Sequence, residues 1–525
     1  MRWKRTVAAA TAALALAVAG CGGESSGTSD GGGDGASSGD GTTAQVAAGG
    51  TLTVAHTDGI PQLNPVIRTF AWEEVLFPLM WNALSKADEN GEVVPDLARS
   101  WNASADQRTW TFELRDDVSF SDGRPLTANS VVAAFDYYLD PRTTTQEANK
   151  LASIASVRAA GDARVVVKLR TPNANFPEAI VWVKVIDVDN LGQIDKRPVM
   201  TGPYMVEDFV PDDHVTLVPN PEYAGEKPPL DELRIVKATD MTSALSALRS
   251  GDLDVIWATN PADVSSLQGD PDLKTIEPKV PSKYVDWEFD TTAPPFDDVK
   301  ARQAVAYAVD REAVLESAYY GLGDLAATNN PLSTSNPFYG GDLTDYSYDL
   351  DKARALFAEA GIRAGDTITW WGTAGSNAEW TTAAEIVQAS LKEIGINLKI
   401  ENREVSTWAD RFYPAGKRFP NFLVPNLASF PPAPADAFGF YRKGRCECNW
   451  DSPEFEQAYD DALAEPDAAA AREKWATVQE IVNREVPLII PLQVKVVASA
   501  RSNVDGVWME GGGQLHLEQA GIAQG

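Results

Sequence analysis

Sulfur and imidazole are scarce in this chain. It has three cysteines, three histidines and six methionines in 525 residues. A disulfide-dense scaffold is excluded on that count. His56, His214 and His516 are isolated from one another, and none sits in the spacing of a metal motif or a Ser-His-Asp triad. Basic residues are also outnumbered, 45 Lys and Arg against 75 Asp and Glu, for a net charge of −30. That balance argues against nucleic acid as a partner and against lying flat on an anionic bilayer, and it favours solubility. Long apolar runs are missing after the first 20 residues. The apolar stretch 486–492 is broken by Pro487 and Pro491 and reads as a buried strand segment. No internal repeat, G-x-G-x-x-G or P-loop is present.

What is present begins at the N-terminus. Arg2, Lys4 and Arg5 precede an uncharged run of 14 residues, 6–19. That is the pattern of a secretory signal and too short for a permanent span, which needs about 20 apolar residues. Residues 22–49 carry ten glycines, four acids and no Lys or Arg, so they have little to bury and are expected to form a flexible tether. A Gly-rich coil of that length reaches roughly 30 Å. Between the two lies Cys21. Val18-Ala19-Gly20-Cys21 resembles a bacterial lipobox. That resemblance implies cleavage before Cys21 and acylation of it, an anchor on the outer face of the cell membrane.

About 475 residues follow the tether, enough for two or three domains with a soluble globular composition of 44% hydrophobic residues. Alternation of period two marks strands at 51–57, 109–115, 164–170, 214–220 and 233–239. Ala353, Leu356, Phe357 and Ala360 fall on one helical face, with Asp351 as the expected cap and Gly361 as the stop. Helices are also expected over 129–139 and 299–308. In 366–400 a strand "DTITWWGT", a helix "WTTAAEIVQASLKEIG" and a strand "INLKI" succeed one another, the unit of a parallel or mixed α/β sheet. Residues 241–259 repeat the idea as helix, Gly251 and a strand over 254–257.

Cys446 and Cys448 stand in "GRCECNW". Their spacing allows a small local disulfide or two free thiols, and no further metal ligand lies near them in sequence. Tryptophan is abundant, 15 residues, and several follow or end strands. In α/β sheets ligands sit at the carboxyl ends of strands, and indole faces accept apolar, cationic or sugar groups. The adjacent acids Glu73-Glu74 and Asp116-Asp117 point in different directions in any regular element and read as solvated surface.

Six segments, in order, resemble the extracytoplasmic solute-binding proteins of ABC importers, in the peptide-, oligopeptide- and nickel-binding group. They are "LNPVIRT", "VVPDLARSWNASADQRTWTFELRDDVSFSDGRPLTANSVVAAFDYYLDP", "TGPYMVEDF", "DDVKARQAVAYAVDREAV", "YDLDKARALFAEAGI" and "NREVPLIIPLQ". The resemblance implies an α/β, two-lobed, type II periplasmic-binding-protein-like fold with an extra domain, mixed sheets flanked by helices, and a hinge of two crossing segments. Mapped here, 1–20 is the signal, 21–49 the lipidated tether, 50–83, 200–283 and 490–525 the first lobe, 84–199 the extra domain and 284–489 the second lobe. The crossings are expected near 283–287 and 486–492. Phe120, Asp122 and Gly123 of "FSDGRPLTA" read as a structural turn.

The implied function is capture of a solute between the lobes and delivery to the permease of an ABC importer, without chemistry, cofactor or metal, by a monomer. Peptide-binding members often carry W-x-x-D before a proline-rich loop. In this chain the corresponding stretch is "VPNLASFPPAPADAF", where Ser429 stands near the acid's place and Asp436 lies further along. A serine gives a buried ammonium no countercharge, so an oligosaccharide or another uncharged solute competes with a peptide. The expected contacts are Trp72, Trp257, Tyr284, Trp287, Trp371, Trp408, Asn426, Ser429 and Phe430, the aromatics stacking and Asn426 and Ser429 hydrogen-bonding. A secreted glycan hydrolase using two carboxylates and a ligand sensor on the same scaffold are the alternatives.

Overall fold

The computed structural model describes residues 48–67, 73–145, 147, 151–258, 261–281, 283–374, 377–412, 421–429 and 433–523. Cys21 and most of the tether fall outside the described residues.

Two large mixed sheets organise the chain. The first has seven strands in the order Leu273–Ile276, Val497–Arg501, Val255–Ala258, Thr51–His56, Glu232–Lys237, His214–Pro219 and Tyr204–Val210. Thr51–His56 runs parallel to Glu232–Lys237 and to Val255–Ala258, and the pairings toward both edges are antiparallel. The second sheet follows the order Gly323–Leu325, Leu492–Val494, Lys283–Glu288, Phe422–Ser429, Thr367–Thr373 and Asn397–Arg403, with Leu488–Ile489 also on Lys283–Glu288. Inserted in sequence between Thr51–His56 and Tyr204–Val210 of the first sheet is a four-stranded antiparallel sheet, Ala98–Ala103, Thr109–Leu114, Arg164–Leu169 and Ile154–Ala159.

Local chemistry explains the elements. In the unit Thr367–Thr373, Ala378–Glu393, Asn397–Arg403, the two strands pair in parallel and the helix is the crossover. Trp380, Ala384, Val387 and Leu391 recur at helical spacing and are buried, which turns that face onto the sheet. Helix Met241–Ser250 starts on Asp240, whose carboxylate accepts from Ser243 N at 2.8 Å, and stops at Gly251 with φ +86°. The helix Leu350–Glu359 differs from expectation at its start. Asp349 accepts from Lys352 N and is the cap, while Asp351 sits in the first turn and pairs with Arg354. Asp349 and Asp351 are equally good caps by chemistry, so periodicity alone does not separate them. In the turn at 120–123, Gly123 has φ +82° and its N–H donates to Phe120 O at 2.8 Å.

The cores divide unevenly. Leu52, Val215 and Val255 of the first sheet share one apolar cluster with Phe112, Val131 and Phe176 of the four-stranded region. Trp287, Trp370 and Val387 belong to a second cluster, and Tyr284, Tyr441 and Trp475 to a third.

The chain passes from the first sheet to the second at 277–282 and returns at 495–496. This corrects the expected crossings near 283–287 and 486–492, which are strands and connections inside the second sheet. Residues 284–288 are buried on both faces, one against Trp370 and the other against Tyr441 and the cysteines. A hinge segment exposed to solvent would not tolerate that apolar load. No helix among the described residues is long and apolar enough to cross a membrane.

Candidate functional site

The aromatic residues expected at the cleft that the structure describes, Trp257, Tyr284, Trp287, Trp371 and Trp408, are all buried. Tyr284 and Trp287 lie on one strand and point to opposite faces, and both are fully buried. Trp287 packs edge-on to Trp370 with ring centroids 5.0 Å apart. Neither ring offers a face to a solute in this conformation. Trp257 is also buried, its ring tilted against His56 at 4.8 Å.

Trp371 and Trp408 form a pair at the carboxyl end of the strand Thr367–Thr373. The Trp408 indole N–H donates to Trp371 O at 3.2 Å. Trp371 meets Phe422 edge-on, and Trp408 leans on Trp380, centroids 5.8 Å apart. Asn426 is half-buried on the neighbouring strand, and the next residue, Leu427, is 40% exposed, an unusual position for a leucine. Ser429 ends that strand opposite Lys283. Trp72 and Phe430 lie outside the described residues. The structure therefore gathers Trp371, Trp408, Asn426 and the Ser429 backbone on one lobe and leaves Trp257 on the other.

A small cavity of about 50 Å³ lies where the lobes meet, beside the crossings. Pro261 and Val264 line it from the first lobe, Glu379, Trp380 and Leu427 from the second, and Lys495 from the returning segment. Sequence reading missed Trp380 and Glu379. Burial raises the Glu379 carboxyl. The helical face at 380, 384, 387 and 391 explains the miss for Trp380, since it reads as core.

A larger cavity of about 420 Å³ lies elsewhere, between the first lobe and the four-stranded region, with Trp81, Asp96, Lys184, Tyr223, Trp508 and His516 among its walls. Among the described residues, none of the second lobe lines it. His516 stacks flat on Trp508, centroids 3.7 Å apart, and its Nδ1 lies 3.0 Å from Glu518. Burial alone would lower the imidazole, but the Glu518 charge and hydrogen bonds to Glu510 and Glu518 push it up to about 9.

Asp286 and Glu288 were not singled out by sequence. Alternation in "KYVDWE" puts them on the Tyr284 face, and both are fully buried. Burial pushes Asp286 up to about 7, and burial with the neighbouring Asp286 and Glu447 charges holds Glu288 well above the usual carboxylate range. On the same side, Cys446 and Cys448 are joined as a disulfide. The sulfurs and a Glu288 carboxylate oxygen lie within 4.8 Å of one another. The third donor atom beside the cysteines thus comes from a distant strand and not from their local sequence.

Residues 92–445 match the model of the bacterial extracellular solute-binding proteins, family 5 (middle region). The chain belongs to this family. It is 29% identical over 449 residues to a putative ABC transporter peptide-binding protein of Brucella ovis, covering 81% of this chain and 83% of that one. To heme-binding protein A of Haemophilus influenzae it is 30% identical over 351 residues, covering 61% of this chain and 63% of the relative. Its fold matches the oligopeptide-binding protein of Bacillus subtilis in complex with a nonapeptide, with a TM-score of 0.75 at 21% identity, over 91% of this chain and all of that one. As a family 5 member the chain has the two-lobed type II fold, and the family is one of substrate-binding proteins of ABC importers.

Proposed function

We propose that this protein is a membrane-tethered, monomeric binding protein that captures a peptide-like or oligosaccharide-like solute between its lobes and hands it to an ABC importer. The first lobe, in this reading, combines 50–83, 200–276 and 497–523 with the four-stranded region attached, and the second lobe is 283–494. The observation that carries the reading is the pair of separate mixed sheets joined by only two passes of chain, in a family 5 member. Such a body has one soft mode, rotation of one lobe against the other. A solute that touches both lobes stabilises the closed form by its extra contacts there, and only by those. Trp371 and Trp408, both buried in this conformation, supply a stacking surface once the lobes open, and Asn426 and Ser429 supply hydrogen bonds. Cys21 holds the body to the outer face of the membrane, and no bond in the solute is made or broken.

The name of the Brucella relative supports a peptide, and that of the Haemophilus relative supports a larger planar guest. The position of Ser429 favours a solute without a buried ammonium. A thermal-shift screen across peptides, oligosaccharides and metal chelates tests the reading. At a hundredfold excess over its dissociation constant, a true solute adds about 2.7 kcal/mol of stability. Failure of every class to raise the melting point, or a solute recovered cleaved, would overturn it.

A further inference from the structure

We propose that the dithiol form of Cys446 and Cys448, together with Glu288, binds one thiophilic divalent cation, with zinc the ion whose chemistry the donors fit. The three residues come from two rigid places. Glu288 ends a central strand of the second sheet, and the cysteines lie in the loop after the helix Pro434–Gly439. Thr291 N–H donates to Cys448 O at 2.9 Å and ties that loop to the end of the strand. The donor atoms already lie within 4.8 Å of one another. A tetrahedral zinc with sulfur at about 2.3 Å and oxygen at about 2.0–2.2 Å needs its ligand atoms about 3.5–3.8 Å apart. Opening the S–S bond lets the sulfurs separate toward that spacing.

A second, independent feature points to a cation. Glu288 is fully buried, and the polar side chains beside it are the Asp286 carboxyl and the Asn426 amide, neither of them a cation. Asp286, two residues earlier on the same face, is fully buried beside Glu288 and Asn426 and also faces no cation. Two buried carboxyls with no cationic partner are costly to ionise, and a bound cation is one of the few partners that offsets that cost. Cys446 and Cys448 are buried too, so the site is shielded from competing water. Three protein donors leave a fourth position, which Asp286 or a water can take.

The oxidised chain cannot bind in this way, so the site is gated by redox state. A protein dithiol supplies the two electrons. One of its thiolates attacks a sulfur of the Cys446–Cys448 bond, and its second thiol then displaces that mixed disulfide. The reductant leaves as a disulfide and two thiols remain on this chain. On metal binding both thiol protons, and the proton of Glu288 where it is held, pass to solvent. Asn426, one of the proposed solute contacts, is paired opposite Asp286 and adjoins the site, so metal binding is read without any solute present.

The test uses the purified full chain and cobalt(II) as the probe. A phosphine reductant opens the disulfide, with water supplying the phosphine oxide's oxygen. Reduced protein is expected to bind one cobalt per molecule with thiolate-to-cobalt charge-transfer absorption, which zinc abolishes by displacement. Oxidised protein is expected to give none. Glu288→Gln, nearly the same in shape, is expected to weaken binding at least tenfold while circular dichroism stays unchanged. Zinc is expected to raise the melting temperature of the reduced protein only. Absence of the band in folded, reduced protein, or equal affinity in Glu288→Gln, would overturn the proposal.

Discussion

Lys495, on the segment returning to the first lobe, lies 3.6 Å from Glu277 on the outgoing segment and 3.9 Å from Asp324 of the second lobe. One ammonium thus spans both passes of the hinge. All three groups are partly exposed, so the interaction is modest, about 0–1 kcal/mol. Lys495→Met is expected to change the melting temperature by little and solute affinity by up to about fivefold at low salt, since 1 kcal/mol is about that factor. Calorimetric titration at low and high ionic strength checks this, and the difference should vanish in high salt.

Arg302 is a stronger clamp. It is buried, and its Nε and Nη2 donate to Glu485 O and its Nε to Val486 O, while Nη1 donates to Phe296 O. Val486 ends the helix Ala468–Glu485 at φ +45°, a region that a β-branched residue enters only under constraint. Burial lowers the guanidinium to about 10, so it stays charged at neutral pH. Arg302→Met leaves these carbonyls unpaired and is expected to cost about 3 kcal/mol or more. Urea unfolding measures it, and an unchanged midpoint would contradict the assignment.

Trp287→Ala empties a site at the centre of the second lobe, where the ring meets Trp370. A loss of about 3–5 kcal/mol is expected. If the lobes unfold separately, calorimetry should show one transition displaced and the other in place. A displaced first-lobe transition would argue for tighter coupling than the separate clusters imply.

The pair His516 and Glu518 makes stability depend on pH at both ends. His516 is raised from 6.5 to about 9, so its contribution is complete below 6.5 and lost as pH climbs through 9. Burial alone would raise Glu518, but the His516 charge holds it near 2, so its contribution is complete above 4.5 and lost as pH falls toward 2. Melting temperature is therefore expected to be highest between 4.5 and 6.5 as far as this pair governs it. His516→Gln should flatten the alkaline decline, and an identical decline in the variant would remove the pair as its cause.

Much of the architecture was legible because it rests on local rules. The strand, helix and strand over 367–403 follow from period two, period 3.6 and a glycine at the turn. The hinge was misplaced because "KYVDWE" and "LIIPLQ" have no local feature that tells a strand in a sheet from a link between sheets. That distinction lies in what covers each face, and the covering residues Trp370, Tyr441 and Cys448 are remote in sequence. The tryptophans misled for a related reason. An indole at a strand end suits a ligand and a core equally, and Trp287 is claimed by Trp370, which no spacing announces. The acids on the Tyr284 face were readable as alternation, but their burial was not.

The central claim is that two lobes close over a solute, and solution scattering tests it most directly. The compound with the largest shift in the thermal screen is added to saturation, and the radius of gyration is compared with that of the free protein. The account predicts a smaller radius with the solute recovered intact. An unchanged radius at saturation, confirmed by calorimetry on the same sample, would contradict it.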